Sequence, residues 1–165
     1  MIFIGLGANL PHPEFGAPKE TVRAAIRALD GTNTSVLACA PLYESSPVPV
    51  SADPWFVNTV LSIETGLSAL DLLEFMHEIE DRFGRVRGGR NAPRVLDIDL
   101  IAYGNIVSGP DQRPVLPHPR MSERAFVLMP LRDIAPDWRH PKTGAGLHEL
   151  LSGLPPDQEC RRMSG

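Results

Sequence analysis

The 165-residue chain has only two cysteines, Cys39 and Cys160, and neither belongs to a C-x-x-C or mixed Cys/His spacing. Two thiols are too few for the disulfide framework of a small secreted protein. The missing spacing also excludes the zinc sites that short cysteine motifs form. We therefore expect ordinary thiols in a reducing compartment, and we place the protein in the cytoplasm.

Long apolar runs and strong positive charge are lacking as well. The amino-terminal residues do not show the cationic start and long apolar stretch of a signal peptide, and no segment reads as a membrane span. The formal net charge is −4 at pH 7 and the pI is about 5.7. An acidic protein of this kind predicts no nucleic-acid partner and no membrane partner.

Two nucleotide-binding motifs are absent or incomplete. No G-x-x-x-x-G-K-[ST] sequence occurs, which excludes a P-loop. Residues 5–9 (GLGAN) begin like a dinucleotide-binding G-x-G-x-x-G motif, but Leu10 stands where the third glycine is required. The apolar run instead predicts a buried strand over residues 1–7 that ends in a tight turn.

The remaining pattern predicts one α+β domain over residues 1–165, because 42% hydrophobic and 22% charged residues are typical of a globular chain. After the first strand, the predicted elements are a helix ending before Gly31, strands over 35–43 and 57–64, a helix capped by Ser68, and a strand through Tyr103. This order favours a ferredoxin-like split β-α-β plait, an antiparallel sheet with helices packed on one face. The other face is then open to ligands.

A C-terminal extension follows the predicted plait. Ser122 is expected to cap a short helix that ends before Pro130. Turns around a brief helix over residues 147–151 make up the tail.

Asp97 and Asp99 interrupt the apolar run 95–101 (VLDIDLI). Residues i and i+2 of a strand share one face, about 6 to 7 Å apart. Two carboxylates repel at that separation unless a cation lies between them, and carboxylates are typical Mg²⁺ ligands. A chance D-x-D pair, or direct neutralisation by arginines, is the alternative.

An arginine-rich segment, residues 82–94 (RFGRVRGGRNAPR), leads directly into this acidic strand. Guanidinium groups suit oxygens that carry spread negative charge, and the glycines make the segment flexible. A solvated charged face is the plainer interpretation. Together with the aspartates, however, the segment indicates Mg²⁺-dependent phosphoryl transfer with an unknown substrate.

Phe56 and Asn58 share one face of the third predicted strand and offer an aromatic platform beside an amide. Each is more often a core residue or a satisfied polar residue than a ligand-binding one. His118 lies between two prolines and is rigidly presented, but an unpartnered histidine is more often structural than catalytic. These residues alone therefore assign no substrate.

Six segments, in order, are similar to the motifs of one family: residues 5–10 (GLGANL), 43–47 (YESSP), 56–58 (FVN), 79–80 (IE) with 84–87 (GRVR), 93–99 (PRVLDID), and 116–120 (LPHPR) with 124–128 (RAFVL). The chain resembles the 6-hydroxymethyl-7,8-dihydropterin pyrophosphokinase family over nearly its whole length. The resemblance implies transfer of pyrophosphate from ATP to the pterin hydroxymethyl group, with release of AMP, in folate biosynthesis. It also implies two Mg²⁺ ions, ATP as co-substrate, and a monomer.

The resemblance implies a role for each matching residue. The metal ligands are Asp97 and Asp99, and the catalytic residues are these two with Arg85 and Arg94. The ATP-binding residues are Glu80, Arg85, Arg87, Arg94, Ile98, Arg113, His118 and Arg124. The pterin-binding residues are Ser45, Val48, Phe56, Asn58 and Phe126, with the two phenylalanines on either side of the ring.

One departure from the family pattern is the pair Asn91-Ala92, where the family usually has Trp-Gly. We expect weaker closure over the pterin, or another residue in the gap, rather than loss of activity. Two other classes are kept open: a binding module with a split β-α-β fold, and an inactive relative that binds pterin or nucleotide without chemistry.

Overall fold

The computed structural model describes residues 1–84 and 95–164. The elements in chain order are β1 (Ile2–Ala8), α1 (Pro18–Leu29), β2 (Thr34–Cys39), β3 (Tyr43–Ser45), β4 (Phe56–Thr65), α2 (Ala69–Arg82), β5 (Asp97–Tyr103), a 3-10 helix (Met121–Glu123), α3 (Ala125–Ile134), α4 (Leu147–Ser152) and β6 (Cys160–Arg162). None of the helices in these two ranges combines the length and apolar character needed to cross a bilayer.

The strands form one antiparallel sheet in the order β5-β1-β4-β3-β6, and β2 pairs with the far end of β4. Strand β4 is 10 residues long, so β2 and β3 bind different halves of the same strand. The predicted α+β class, an antiparallel sheet packed with helices, is confirmed. The order places β1 between β4 and β5, at the centre of the site described below.

Helices α1 and α2 cover the first face of the sheet. Ser68 caps α2 as predicted, because its Oγ accepts a hydrogen bond from the Asp71 backbone N–H at 3.1 Å. One apolar stripe of α2 is buried and packs against apolar residues of β1, β4 and β5; its members are Leu72, Met76, Ile79 and Phe83. Burying each such side chain contributes about 1.5 to 3 kcal/mol. This layer buries more apolar residues than the second face does, so it forms the larger core.

The second face is only partly open, which corrects the expectation that helices occupy one face alone. Helices α3 and α4 pack there against Phe3, Val60 and Ile101. These three large apolar side chains alternate with the first-face residues of their strands, so they need a cover of their own. The remaining part of this face stays accessible and holds the site.

The strand expected over residues 35–43 is divided into β2 and β3, since Pro41 has no backbone N–H to donate to a ladder. The buried strand predicted over residues 1–7 is confirmed as β1, and the turn after it begins beyond Ala8. Gly5 and Gly7 therefore lie inside a strand.

The C-terminal region also differs from expectation. Ser122 lies within the 3-10 helix rather than capping α3, and α3 continues through Pro130 to Ile134. Pro130 removes one helical hydrogen bond, but its ring is buried and the helix packs on the sheet. The brief helix near residue 147 is confirmed, whereas β6, which pairs with β3, was not predicted.

A side-chain hydrogen bond joins β3 of the sheet to α3. The buried Tyr43 hydroxyl donates to Asp133 Oδ2 at 2.5 Å. Burial, followed by this carboxylate, raises the pKa of Tyr43 to about 12. The folded protein therefore favours the neutral, protonated form of Tyr43. The hydrogen bond attaches α3 to the part of the sheet that carries β3.

Replacing Tyr43 by Phe should lower the free energy of unfolding at pH 7. Hydrogen bonds to charged groups contribute about 1.5 to 3 kcal/mol, and we expect the lower end because Asp133 is exposed. Tyr103→Phe is a matched control, because it removes the hydrogen bond that the Tyr103 hydroxyl donates to the neutral Leu67 carbonyl. It should lower the free energy of unfolding by about 0.5 to 1.5 kcal/mol. Urea unfolding measures both.

The same variant predicts a pH dependence. Because folding raises the pKa of Tyr43 from 10.0 to about 12, the stabilisation is complete below pH 10 and is lost as the pH rises towards 12. The stability difference between wild type and Tyr43→Phe should be constant below pH 10 and shrink above it. A difference that stays constant up to pH 12 would contradict the prediction.

Candidate functional site

Two cavities meet at the start of β5, where Asp97 and Asp99 lie. The first cavity has a volume of about 220 Å³ and lies over the open part of the second sheet face. The second cavity has a volume of about 380 Å³ and lies between α2, β5 and the loop before the 3-10 helix. Asp97 and Asp99 line both cavities. A group bound in either cavity is therefore within reach of the same two carboxylates.

Strand β5 fixes the two aspartates on one face, as the sequence predicted. Asp97 is the partner of Gly7 on β1, and Asp99 is the partner of Gly5. Between them, Ile98 faces the core and its backbone N–H donates to Glu80 Oε2 at 3.0 Å. The buried Glu80 thus anchors the backbone from which both aspartates project.

The two glycines of β1 form the floor of the first cavity. Gly7 is paired with Asn58 on one side and Asp97 on the other. A Cβ atom added at Gly7 would lie 2.9 Å from Asn58 Oδ1, closer than real Cβ contacts allow. Close approach of neighbouring groups is the usual reason for glycine within a strand. The missing side chain leaves room between the amide wall and the acidic strand.

The first cavity gathers the residues predicted to bind pterin. Phe56, Asn58, Val48 and Phe126 line it. Ser45 lies behind this wall, where its Oγ accepts a 2.6 Å hydrogen bond from Asn58 Nδ2. That bond fixes the orientation of the amide, so Asn58 Oδ1 is the atom on the Gly7 side. The arrangement can hold a flat ring beside a hydrogen-bond acceptor.

Arg124 joins the aromatic wall to the acid pair. Its guanidinium lies 5.4 Å from the centre of the Phe126 ring, and Nη1 is 3.5 Å from Asp99 Oδ2. Arg124 was predicted to bind ATP together with residues of the second cavity, but it lines the first one. It therefore lies where charged and aromatic parts of a ligand would meet.

The second cavity gathers the other described residues predicted to bind ATP. Glu80, Ile98, Arg113 and His118 all line it. Arg113 approaches His77, with 3.4 Å between Nη2 and Nδ1. The cavity therefore combines an apolar strand residue with polar and cationic side chains, which suits a nucleotide.

His118 is neutral at physiological pH. Burial, and then the positive charge of Arg124, lower its pKa to about 4, although Asp97 opposes the shift. Its Nδ1 accepts a hydrogen bond from the Arg120 backbone N–H at 3.1 Å, so the ring proton is on Nε2. His118 can therefore donate one hydrogen bond to a ligand oxygen but carries no charge for it.

Three arginines of the segment before β5 were predicted to bind ATP, and two of them, Arg85 and Arg94, to be catalytic. Arg85, Arg87 and Arg94 lie outside the described residues, as does the Asn91-Ala92 pair. Their roles stay predictions from the sequence.

Several residues of the first cavity were not among the predicted site residues. They include Gly5, Gly7, Asn9, Asp53 and Arg120. Asn9 is buried, and its Nδ2 donates to the Pro54 carbonyl at 3.2 Å, which ties the end of β1 to the loop before β4. The sequence signal that could have identified the two glycines is their spacing, because residues two apart in a strand share one face, as the aspartates do.

The donor set at the acid pair fits Mg²⁺. Among residues 1–84 and 95–164, no group of three or more His, Cys, Asp or Glu side chains could hold a metal. Magnesium differs from zinc and calcium in this respect, because proteins usually bind it through one or two carboxylates while substrate phosphates and water supply the other ligands. Two aspartates at the junction of two cavities meet that requirement.

Comparison with known proteins gives a consistent result. The family model described as 7,8-dihydro-6-hydroxymethylpterin-pyrophosphokinase matches residues 3–136. The 2-amino-4-hydroxy-6-hydroxymethyldihydropteridine pyrophosphokinase of Pseudomonas aeruginosa is 41% identical over 156 residues, covering 93% of this chain and 91% of that protein. The protein of the same name from Haemophilus influenzae is 39% identical over 136 residues, covering 82% and 81%.

A solved structure agrees with the fold. The Plasmodium falciparum HPPK-DHPS triple mutant with SDX-DHP superposes with a TM-score of 0.69 at 13% identity, over 92% of this chain and 43% of that one. This chain thus spans less than half of that protein, and the likeness concerns the fold alone. The family-model match and the two relatives show that the chain belongs to the 7,8-dihydro-6-hydroxymethylpterin-pyrophosphokinase family.

Proposed function

We propose that this chain transfers pyrophosphate from ATP to the hydroxymethyl group of 6-hydroxymethyl-7,8-dihydropterin and releases AMP, as a step of folate biosynthesis. Family membership supports the reaction. The single structural observation that supports it best is that the two cavities share Asp97 and Asp99. Two substrates that react with each other need adjacent sites with their reacting atoms at the boundary.

The reaction forms one bond and breaks one. The pterin hydroxyl oxygen attacks the β-phosphorus of ATP, while the bond from that phosphorus to the oxygen bridging the α-phosphorus breaks. AMP leaves with the bridging oxygen, and the hydroxyl proton is lost to a base or to solvent. In such transfers, positioning and charge neutralisation provide most of the rate enhancement.

The pterin belongs in the first cavity. Phe56 and Phe126 come from different elements, β4 and α3, and line the same space, which suits stacking on a flat ring. Asn58 Oδ1 is the acceptor that would bind an N–H of the pterin edge, since Nδ2 is engaged by Ser45. Val48 lies at the rim, where it is 46% exposed.

ATP belongs in the second cavity, with its phosphates at the acid pair. His118 is a neutral donor for a ligand oxygen, and Arg113 and Arg124 are cations on either side of the junction. Arg85, Arg87 and Arg94 are proposed from the sequence to contact the phosphates. Asp97 and Asp99 would hold two Mg²⁺ ions, which would supply neutralisation of the phosphate charge and a lower pKa for the attacking hydroxyl.

Three finer points are proposals too. Strands β2 and β3 would together take the place of the second strand of a ferredoxin-like plait, because both pair with β4. The segment after β5, which carries α3, α4 and β6, would be an extension of that plait. We also propose that the protein acts as a cytoplasmic monomer over residues 1–165.

Identification of the nucleotide product tests the reaction. Purified protein incubated with ATP, Mg²⁺ and the hydroxymethyl dihydropterin should yield AMP and a pterin that carries both transferred phosphorus atoms, as seen by ³¹P NMR. Formation of ADP would show single phosphoryl transfer instead. Absence of any product would favour the binding module or the inactive relative.

Asp97→Asn and Asp99→Asn should each lower turnover at least about 100-fold, because the metal supplies several kcal/mol of charge stabilisation in such sites. The measurement is the rate of AMP formation as a function of Mg²⁺ concentration. Asp137→Asn is the control, since it removes an exposed carboxylate far along the chain. Turnover like wild type in either site variant would refute the role of the acid pair.

Gly7→Ala should weaken pterin binding while leaving ATP binding nearly unchanged. The added Cβ at 2.9 Å from Asn58 Oδ1 must displace an amide that Ser45 holds. We expect the KM for pterin to rise about tenfold, equivalent to about 1.4 kcal/mol. Gly66→Ala is the matched control, because nothing lies within 4 Å of a Cβ at that position. Equal pterin KM values for both variants would show that the glycine floor is dispensable.

A further inference from the structure

Helix α3 begins with a residue that cannot cap it. Arg124 occupies the N-cap position, where Ser, Thr, Asp or Asn usually accepts a hydrogen bond from the first turn, and its side chain makes no such bond. Instead, the guanidinium lies against Phe126 and Asp99. The Val127 N–H donates to the Arg124 carbonyl at 3.1 Å, whereas the Ala125 N–H, at the first helical position, needs an acceptor from elsewhere in the chain.

Gln158 supplies that acceptor from 33 residues away. Its Oε1 accepts a 2.9 Å hydrogen bond from the Ala125 backbone N–H. Its Nε2 donates to the Glu123 carbonyl at 2.6 Å. One side-chain amide thus binds the residue before Arg124 and the residue after it. Only a side chain with both a donor and an acceptor can make this pair of bonds.

The residues after Gln158 are fixed to the opposite wall of the first cavity. The Ser46 backbone N–H donates to the Glu159 carbonyl at 2.9 Å, and the Glu159 N–H donates to Ser46 Oγ at 3.2 Å. Cys160 then pairs with Ser45 in the sheet.

Arg161 extends this attachment. Its Nε donates to Glu44 Oε1 at 2.5 Å, and its guanidinium lies 5.1 Å from the centre of the Trp55 ring. Residues 158–161 therefore bridge the wall that carries Ser45 and Ser46 to the start of α3. They lie beyond the match of the family model, which ends at residue 136.

We propose that Gln158 is a positioning residue that holds Arg124 in place over the acid pair. The inference rests on the proposed function of the first cavity. Gln158 does not contact substrate in this role; it fixes the backbone on both sides of Arg124. Loss of its two hydrogen bonds detaches the turn that carries Arg124 from residues 158–161. The guanidinium then loses its register with Asp99 and the Phe126 ring.

The test is a double-mutant cycle between Gln158 and Arg124. Gln158→Met keeps the length of the side chain but removes both hydrogen bonds, and Gln158→Ala removes the side chain as well. Each is made alone and together with Arg124→Ala. Asp157→Ala, at an exposed neighbouring position, is the control. Readouts are kcat/KM for AMP formation, the Kd for the dihydropterin by calorimetry without ATP, and the melting temperature.

We expect Gln158→Met to lower kcat/KM and to raise the pterin Kd about fivefold or more in the wild-type background, since two hydrogen bonds are lost. In the Arg124→Ala background the same change should have an effect of less than about twofold, because the positioned side chain is already gone. Asp157→Ala should match wild type.

Three results would overturn the inference. One is an equal fold-change in both backgrounds, which indicates a general effect on folding. The second is wild-type kinetics in Gln158→Met despite a lower melting temperature. The third is a wild type that neither binds the pterin nor forms AMP from it and ATP, which overturns the proposed function as well. A wild type that binds pterin but forms no AMP refutes only the reaction, because the cycle on the pterin Kd still decides the role of Gln158.

Discussion

Two carboxylates on one face of β5 set the main constraint on this structure. At a separation of about 6 to 7 Å, their repulsion is roughly 2.5 kcal/mol for an effective dielectric constant of about 20. Two contacts hold the strand in place despite that cost. Glu80 accepts a hydrogen bond from the Ile98 N–H between the two aspartates, and Arg124 lies 3.5 Å from Asp99. Two carboxylates at this junction favour a bound cation.

The sheet divides core and site between its faces. The first face is covered by α1 and α2 and forms the larger core. On the second face, large apolar residues lie under α3 and α4, whereas glycines, Asn58 and the aspartates lie beyond the end of that cover. Helix α3 is therefore both a cover for the core and a wall of the first cavity. Tyr43 and Gln158 attach it at its two ends, through Asp133 and the Ala125 N–H.

Local sequence features predicted the parts of the site that depend on strand alternation or on short spacing. The shared face of Asp97 and Asp99, the pairing of Phe56 with Asn58, and the Ser68 cap follow from periods of two residues or from a single turn. The residues that line the second cavity were identified through the family resemblance. The position of Arg124 was not, because it depends on how α3 packs rather than on the residues around it.

By itself the sequence determined the α+β class, the order of the central elements and the acid pair, because burial periods and local caps act over a few residues. Only the tertiary structure decided which residues surround that pair. The glycine floor arises because Gly7 is paired with both Asn58 and Asp97, and such contacts join strands far apart along the chain. The same holds for Gln158, whose partners are Glu123 and Ala125. Their physical cause is strand register and helix packing, which no local pattern encodes.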